Sequence, residues 1–98
     1  GVIARDQIVD SSSKTFYIQG QKTGDHSGEI AEVYSDAYEL NVNQSTQKGD
    51  SGAPHYGFFG NPIGATGISG IHMGTRDDNG NAIATMMVEI ENRFNLTV

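Results

Sequence analysis

The feature that most constrains the fold of this sequence is a pair of short segments in which polar and apolar residues alternate. Residues 29–34 and 37–42 both alternate with a period of two, and only Ser35-Asp36 separates them. This period is typical of half-buried strands, and a short connection joins antiparallel neighbours. The two segments therefore predict a β-hairpin.

Further segments of the same kind surround this hairpin. Residues 15–19 are rich in β-branched and aromatic side chains, and three later segments also favour strands. The predicted elements are the end of a strand at 1–4, a polar loop at 5–14, strands at 15–19, 53–59, 63–73 and 82–88, turns at 21–28, 60–62 and 76–81, and a short helix at 89–94. Six short strands at this spacing predict an all-β fold, a six-stranded antiparallel β-barrel with a short C-terminal helix. A sandwich of two small sheets is the alternative.

Composition limits the classes of function. The 98 residues are enough for one small domain, residues 1–98, and the chain has no cysteine and therefore no disulfide or thiolate metal site. The histidines His26, His55 and His72 lack metal-ligand spacing, and we expect neither a metal nor another cofactor. A net charge of −6 disfavours nucleic acid and anionic membranes as partners.

The segment 48–54, KGDSGAP, places a serine between two glycines. Because Gly49 has no Cβ, its N–H can turn inward beside the N–H of Ser51, and two such donors form an oxyanion hole. Gly52 would let a substrate backbone approach the hydroxyl, and Ser51 would attack a carbonyl once a base takes its proton. The alternative is a polar β-turn without chemistry, since Gly, Asp and Ser are common turn residues.

This Gly-Asp-Ser-Gly segment resembles the nucleophile loop of chymotrypsin-fold serine endopeptidases. Residues 21–30, QKTGDHSGEI, are similar to the Thr-Gly-x-x-x-Gly turn that precedes the nucleophile in streptogrisin-like and other microbial members. The resemblance implies the C-terminal barrel of a two-barrel protease, with Ser51 as nucleophile and the N–H groups of Gly49 and Ser51 as the oxyanion hole. Asp50 would stabilise the loop, whereas His26 in this surface turn and His55 are expected to be structural.

Residues 68–74, ISGIHMG, resemble the pocket strand of glutamyl endopeptidases and of viral 3C-like proteases. The resemblance implies that Ser69, Gly70 and His72 bind substrate and that the His72 imidazole reads a P1 Glu or Gln side chain. Thr46 matches a second pocket donor of the viral pattern. The alternatives are a satisfied core histidine and a loop threonine. Ser45 stands where trypsin-like members carry an acid, which disfavours Arg or Lys at P1.

The resemblance covers only half of a protease, because no residue fills the roles of base and orienting acid. We therefore expect an N-terminal barrel as partner, residues 1–14 as the inter-barrel segment, a peptide or protein substrate, and negligible activity for this half alone. Its location would be extracellular for a microbial enzyme and the host cytoplasm for a viral one. The alternatives are a non-catalytic module that binds a peptide or partner by strand addition, and an acidic barrel subunit with a plain turn.

Overall fold

The barrel is closed by six antiparallel strands. A computed structural model describes residues 2–9, 15–47, 49–58 and 66–95. Around the barrel the strands follow the order β1-β2-β3-β6-β5-β4, and β4 pairs back onto β1. The elements are α1 (Arg5–Val9), β1 (Thr15–Gly20), β2 (Gly24–Val33), β3 (Ala37–Val42), β4 (Pro54–Phe58), β5 (Thr66–Thr75), β6 (Ala82–Met86) and α2 (Met87–Phe94). The predicted barrel with a short C-terminal helix is confirmed, and the sandwich is not formed.

The predicted hairpin is the β2–β3 pair. Ile30 pairs with Leu40, and a bulge between Ile30 and Glu32 shifts the register beyond them. β2 begins at Gly24, which takes a φ of 81°, and the preceding turn is therefore shorter than the predicted 21–28. The start of β2 was mispredicted because Gly24, Asp25 and Gly28 are turn-forming residues, whereas pairing with β1 holds them in an extended conformation.

The second half of the barrel is formed by β4, β5 and β6. The tip at residues 76–81 joins β5 to β6 as predicted, with Thr75 paired to Ala82. The last strand ends at Met86 and the helix begins at Met87, each two residues earlier than predicted. Phe59, the predicted turn at 60–62 and the first residues of the predicted 63–73 strand lie outside the described residues.

The N-terminal segment packs against this barrel, and the prediction of a polar loop from residue 5 is wrong for α1. Ile8 is fully buried in the core and Ile3 is 3% exposed. The Arg5 guanidinium donates hydrogen bonds to the carbonyl oxygens of Ser35 at 2.5 Å and Tyr34 at 3.0 Å. Burial of one apolar side chain thus stabilises a helix that polar composition disfavoured. Residues 10–14, which include the serine run, lie outside the described part, and the inter-barrel role of 1–14 stays a prediction.

The barrel interior combines an apolar core with buried polar side chains. The buried apolar residues are Ile3, Ile8, Phe16, Ile18, Tyr38, Leu40, Ala53, Ala82, Ala84 and Met86. The buried polar or charged residues are His26, Glu39, Thr46, Asp50, His55, Ser69 and His72. Buried polar groups destabilise a fold unless hydrogen bonds satisfy them. The hydrogen-bond partners of these side chains therefore indicate which of them hold the barrel together and which are open to a ligand. None of the described helices is both long enough and apolar enough to cross a membrane.

Candidate functional site

Residues 49–52, here called the serine loop, project Ser51 from the barrel surface. Gly49 and Gly52 have φ angles of 106° and 90°, which place both in the region that glycine favours. The Gly52 N–H donates to the His72 carbonyl oxygen at 2.8 Å, which ties the loop to β5. Ser51 itself is exposed. Lys48, the first residue of the predicted motif, lies outside the described residues.

A cleft of about 380 Å³ opens beside the serine. Its lining residues are Thr46, Gln47, Ser51, Gly74, Thr75 and Asp77. The Ser51 hydroxyl donates to the Met73 carbonyl oxygen at 3.1 Å. Within the described ranges, the N–H groups of Gly49 and Ser51 have no hydrogen-bond partner, and no histidine or carboxylate bonds the Ser51 hydroxyl. The serine is therefore accessible, with two free amides nearby and no base of its own.

Asp50 anchors the serine loop to the turn before β2. Its fully buried carboxylate accepts from the N–H groups of Lys22 at 2.8 Å, Thr23 at 3.0 Å and Gln47 at 2.9 Å, and from the Thr23 hydroxyl at 2.6 Å. Burial alone would raise the pKa of Asp50, but these four hydrogen bonds outweigh it and hold the pKa well below its usual range. An ionised carboxylate therefore holds the serine loop in place.

β5 presents an unpaired backbone edge next to Ser51. Its pairing with β4 ends at Ile71, opposite Pro54, whereas its pairing with β6 continues to Thr75. Among the described residues, Gly74 and Thr75 therefore pair on one side only, a register shift leaves Met73 without a partner on β6, and the cleft lined by Gly74 and Thr75 lies beside them. Such an edge can take an extended peptide as an added strand.

A chain of buried polar side chains runs behind this edge. The Tyr38 hydroxyl lies 2.6 Å from Ser69 Oγ and 3.1 Å from His55 Nδ1. His55 Nε2 in turn lies 3.0 Å from His72 Nδ1. His72 Nε2 ends the chain and, although buried, has no partner within the part of the chain that the structure describes. An unpaired buried nitrogen at the end of a satisfied chain calls for an explanation, and His72 Nε2 is therefore a candidate recognition group.

Burial keeps both imidazoles of this chain neutral. It lowers the pKa of His55 to about 3, with the His72 charge as a second cause. Burial also lowers the pKa of His72, against the attraction of Asp50 and together with the charge of His26. A neutral imidazole has one N–H and one lone pair, so the direction of the hydrogen bonds in the chain decides which of them His72 Nε2 presents.

The predicted substrate-binding residues occupy different depths. Thr46 lines the cleft, and its hydroxyl is hydrogen-bonded to that of Thr75. Ser69 and Gly70 are buried in β5, where the Ser69 hydroxyl bonds Tyr38 and a Cβ on Gly70 would lie 2.6 Å from the Thr85 carbonyl oxygen. Their roles in substrate binding, like that of His72, stay predictions.

His26, Tyr38 and His55 were not found as site residues from the sequence. The prediction that His26 lies in a surface turn is wrong, because it sits in β2 with 2% exposure and both ring nitrogens bonded. Tyr38 and His55 lie 31 and 17 residues from the partners Ser69 and His72. Only barrel closure brings them together, and the one sequence signal was a histidine on each of two predicted neighbouring strands.

The fold and the site together define a small closed antiparallel β-barrel that exposes a glycine-flanked serine beside a cleft. No protein-family model matches the chain, and no curated protein sequence matches it. The functional assignment therefore depends on the geometry of the serine loop and its surroundings.

Proposed function

We propose that this barrel is the nucleophile-bearing half of a chymotrypsin-like serine endopeptidase, with Ser51 as nucleophile. The observation that carries the proposal is an exposed serine hydroxyl between two glycines of positive φ, with two main-chain amides at the same loop that have no partner among the described residues. A plain polar turn needs neither the free amides nor a buried carboxylate anchor. An acyl-transfer site needs both, because its donors must be fixed before charge develops.

In the proposed reaction the Ser51 hydroxyl leaves its bond to the Met73 carbonyl and attacks the scissile carbonyl carbon. A base takes the hydroxyl proton, and the N–H groups of Gly49 and Ser51 donate to the oxyanion that forms. The protonated base then gives its proton to the leaving amine as the peptide bond breaks. Water, activated by the same base, hydrolyses the acyl ester and restores the serine.

The base and its orienting acid come, in this proposal, from a separate N-terminal barrel. His55 and His72 are buried, and both are engaged with each other and not with Ser51. Burial lowers the pKa of each, which makes them poor proton acceptors at neutral pH. Without a base, Ser51 retains the ordinary reactivity of a hydroxyl.

Substrate specificity is assigned to His72 and the cleft. A substrate backbone would pair with residues 73–75, and its P1 side chain would reach the unpaired Nε2 of the neutral His72 imidazole. Asp77 lines the same cleft, and its carboxylate repels an acidic side chain but accepts from an amide. We therefore favour Gln over Glu at P1.

The test is hydrolysis of peptides by the natural protein with its preceding region, using matched substrates with Gln, Glu or Arg at P1. The proposal expects cleavage after Gln and weaker cleavage after Glu, and the Arg substrate tests whether Asp77 attracts a cationic side chain into the cleft. Ser51→Ala should reduce kcat at least about a thousandfold. Ser35→Ala, at an exposed turn position outside the cleft lining, is the control and should leave kcat unchanged. Activity that survives Ser51→Ala would refute the nucleophile.

The alternative function is a peptide-binding module that uses the same β5 edge without chemistry. The bond from the Ser51 hydroxyl to the Met73 carbonyl favours it, because a hydroxyl held by a main-chain acceptor is not poised for attack. In that case the natural protein binds peptides with equal affinity before and after Ser51→Ala and releases no product.

A further inference from the structure

The contact between β2 and the serine loop has a specific requirement for protons. His26 Nδ1 lies 2.5 Å from the Gln44 carbonyl oxygen, and His26 Nε2 lies 2.5 Å from Thr23 Oγ1. The same Thr23 oxygen lies 2.6 Å from Oδ2 of Asp50. With His26 2% exposed and Asp50 fully buried, water does not substitute for these partners.

The number of hydrogens needed by these bonds determines whether the His26 ring is neutral or protonated. A carbonyl oxygen only accepts, so His26 Nδ1 must carry a hydrogen for its bond to Gln44. An ionised carboxylate also only accepts, so the single hydroxyl hydrogen of Thr23 must point at Asp50. The bond between Thr23 and His26 Nε2 then requires a second ring hydrogen. All three bonds exist together only when His26 is an imidazolium.

We propose that His26 is a positioning residue of the serine loop, which it holds in place through Thr23 and Asp50 when its ring is protonated. A neutral ring forces the Thr23 hydroxyl to choose between His26 and Asp50, and the loop anchor loses one hydrogen bond. The proposal rests on the proposed function only in treating Ser51 as a nucleophile. The chain of contacts exists whatever the serine does.

The surroundings of His26 contain few other titratable groups. The serine loop contributes Asp50, and β5 contributes His72, whose pKa is lowered by burial, raised by Asp50 and lowered again by the charge of His26. β1 places Ile18 opposite His26, and the preceding residue of β2, Asp25, is exposed. A cationic His26 therefore also helps to keep His72 neutral.

The test compares two replacements of Thr23 at two pH values. Thr23→Val removes the hydroxyl and keeps the shape, and Thr23→Ser, the matched control, keeps the hydroxyl. Thr23→Val removes two hydrogen bonds when His26 is an imidazolium and one when its ring is neutral. The equilibrium constant for unfolding should therefore rise about fivefold more at about pH 5.5 than at about pH 8. Thr23→Ser should abolish most of that difference, and in a His26→Gln background Thr23→Val should act equally at both pH values.

A second measurement stands even where Thr23→Val fails to fold. In the unmodified protein at about pH 5.5, the ¹⁵N resonances should show both His26 nitrogens protonated and His55 with one bare nitrogen. A bare His26 nitrogen at that pH, or an equal effect of Thr23→Val at both pH values, overturns the proposal. Neither readout needs catalysis, so failure here leaves the nucleophile assignment standing, and loss of that assignment leaves the His26 result standing.

Discussion

At the scale of single residues, the buried polar side chains form two groups: the barrel keeps its carboxylates ionised and the imidazole of His55 neutral. Asp50 stays ionised because four hydrogen bonds outweigh its burial, and Glu39 because of hydrogen bonds from Tyr34, Asn81 and Arg76. His55 is kept neutral by burial. Asp50 places a fixed negative charge at the serine loop, and the neutral rings lie in the barrel interior, which is consistent with the proposed recognition of an uncharged amide.

Asp50→Asn should destabilise the protein by about 3 kcal/mol at neutral pH, because the amide NH₂ would either face other donors or leave them without a charged acceptor. Denaturant unfolding measures this, and Asp25→Asn, at an exposed position on β2, is the control with an effect within about 0.5 kcal/mol.

The pH dependence of this difference has a defined sign. The folded pKa of Asp50 lies below the unfolded value, so its contribution is complete above about pH 4 and is lost as the pH falls further. The gap between the unmodified protein and Asp50→Asn should therefore narrow on acidification. A gap that stays constant would contradict the assignment of an ionised, buried carboxylate.

Tyr38→Phe tests the chain behind the cleft. Loss of the hydroxyl leaves Ser69 Oγ and His55 Nδ1 without the partner that joins them, and we expect a loss of about 1–3 kcal/mol of stability. The KM of the natural protein for P1-Gln peptides should rise more than its kcat changes, because His72 loses orientation. Tyr56→Phe, whose hydroxyl makes no hydrogen bond among the described residues, is the control. An unchanged KM in Tyr38→Phe would mean that the buried side chains from Tyr38 to His72 do not contribute to substrate specificity.

At the scale of elements, local patterns predicted most strands, and contacts distant in sequence decided the rest. Alternation gave β3 its correct bounds, and the tip at 76–81 followed from its turn residues. The start of β2 and helix α1 were mispredicted because pairing with β1 and burial of Ile8 override local composition. The serine loop was predictable because its residues are adjacent in sequence, whereas the Tyr38–His55–His72 chain depends on barrel closure.

Ile8→Ala tests whether α1 belongs to this barrel. Ile8 is fully buried, and its truncation should cost about 2–4 kcal/mol of unfolding free energy. Val9, the next residue, is 48% exposed, and Val9→Ala should change stability by less than about 0.5 kcal/mol. Equal effects of the two truncations in denaturant unfolding would mean that α1 does not dock as described.

At the scale of the whole molecule, barrel closure joins two systems that the sequence keeps apart. The serine loop bonds the main chain of His72, while the side chain of His72 ends the buried chain from β3 and β4. The proposed nucleophile and the proposed specificity residue are therefore connected through the same strand, β5. This arrangement accounts for a small barrel with so many buried polar groups.

The stability of the whole protein should fall as the pH decreases from about 7.5 to about 4. The unfolded chain takes up protons at its histidines near pH 6.5 and at its carboxylates near pH 4, whereas His55, His72, Asp50 and Glu39 resist protonation when folded. All four shifts act in the same direction, whereas protonation of His26, which adds one hydrogen bond in the proposal above, acts in the opposite direction and offsets part of the fall. Denaturant midpoints across this range measure the effect, and a midpoint that rises on acidification would show that the buried groups are not held in these states.

The most direct test of the central claim is covalent labelling of the natural protein with a serine-directed phosphonate, followed by peptide mass mapping. The account predicts one adduct, on Ser51, that is lost in Ser51→Ala and retained in the matched control Ser35→Ala. An unlabelled Ser51 in protein that still binds peptides, or an adduct on another serine that survives Ser51→Ala, would contradict it.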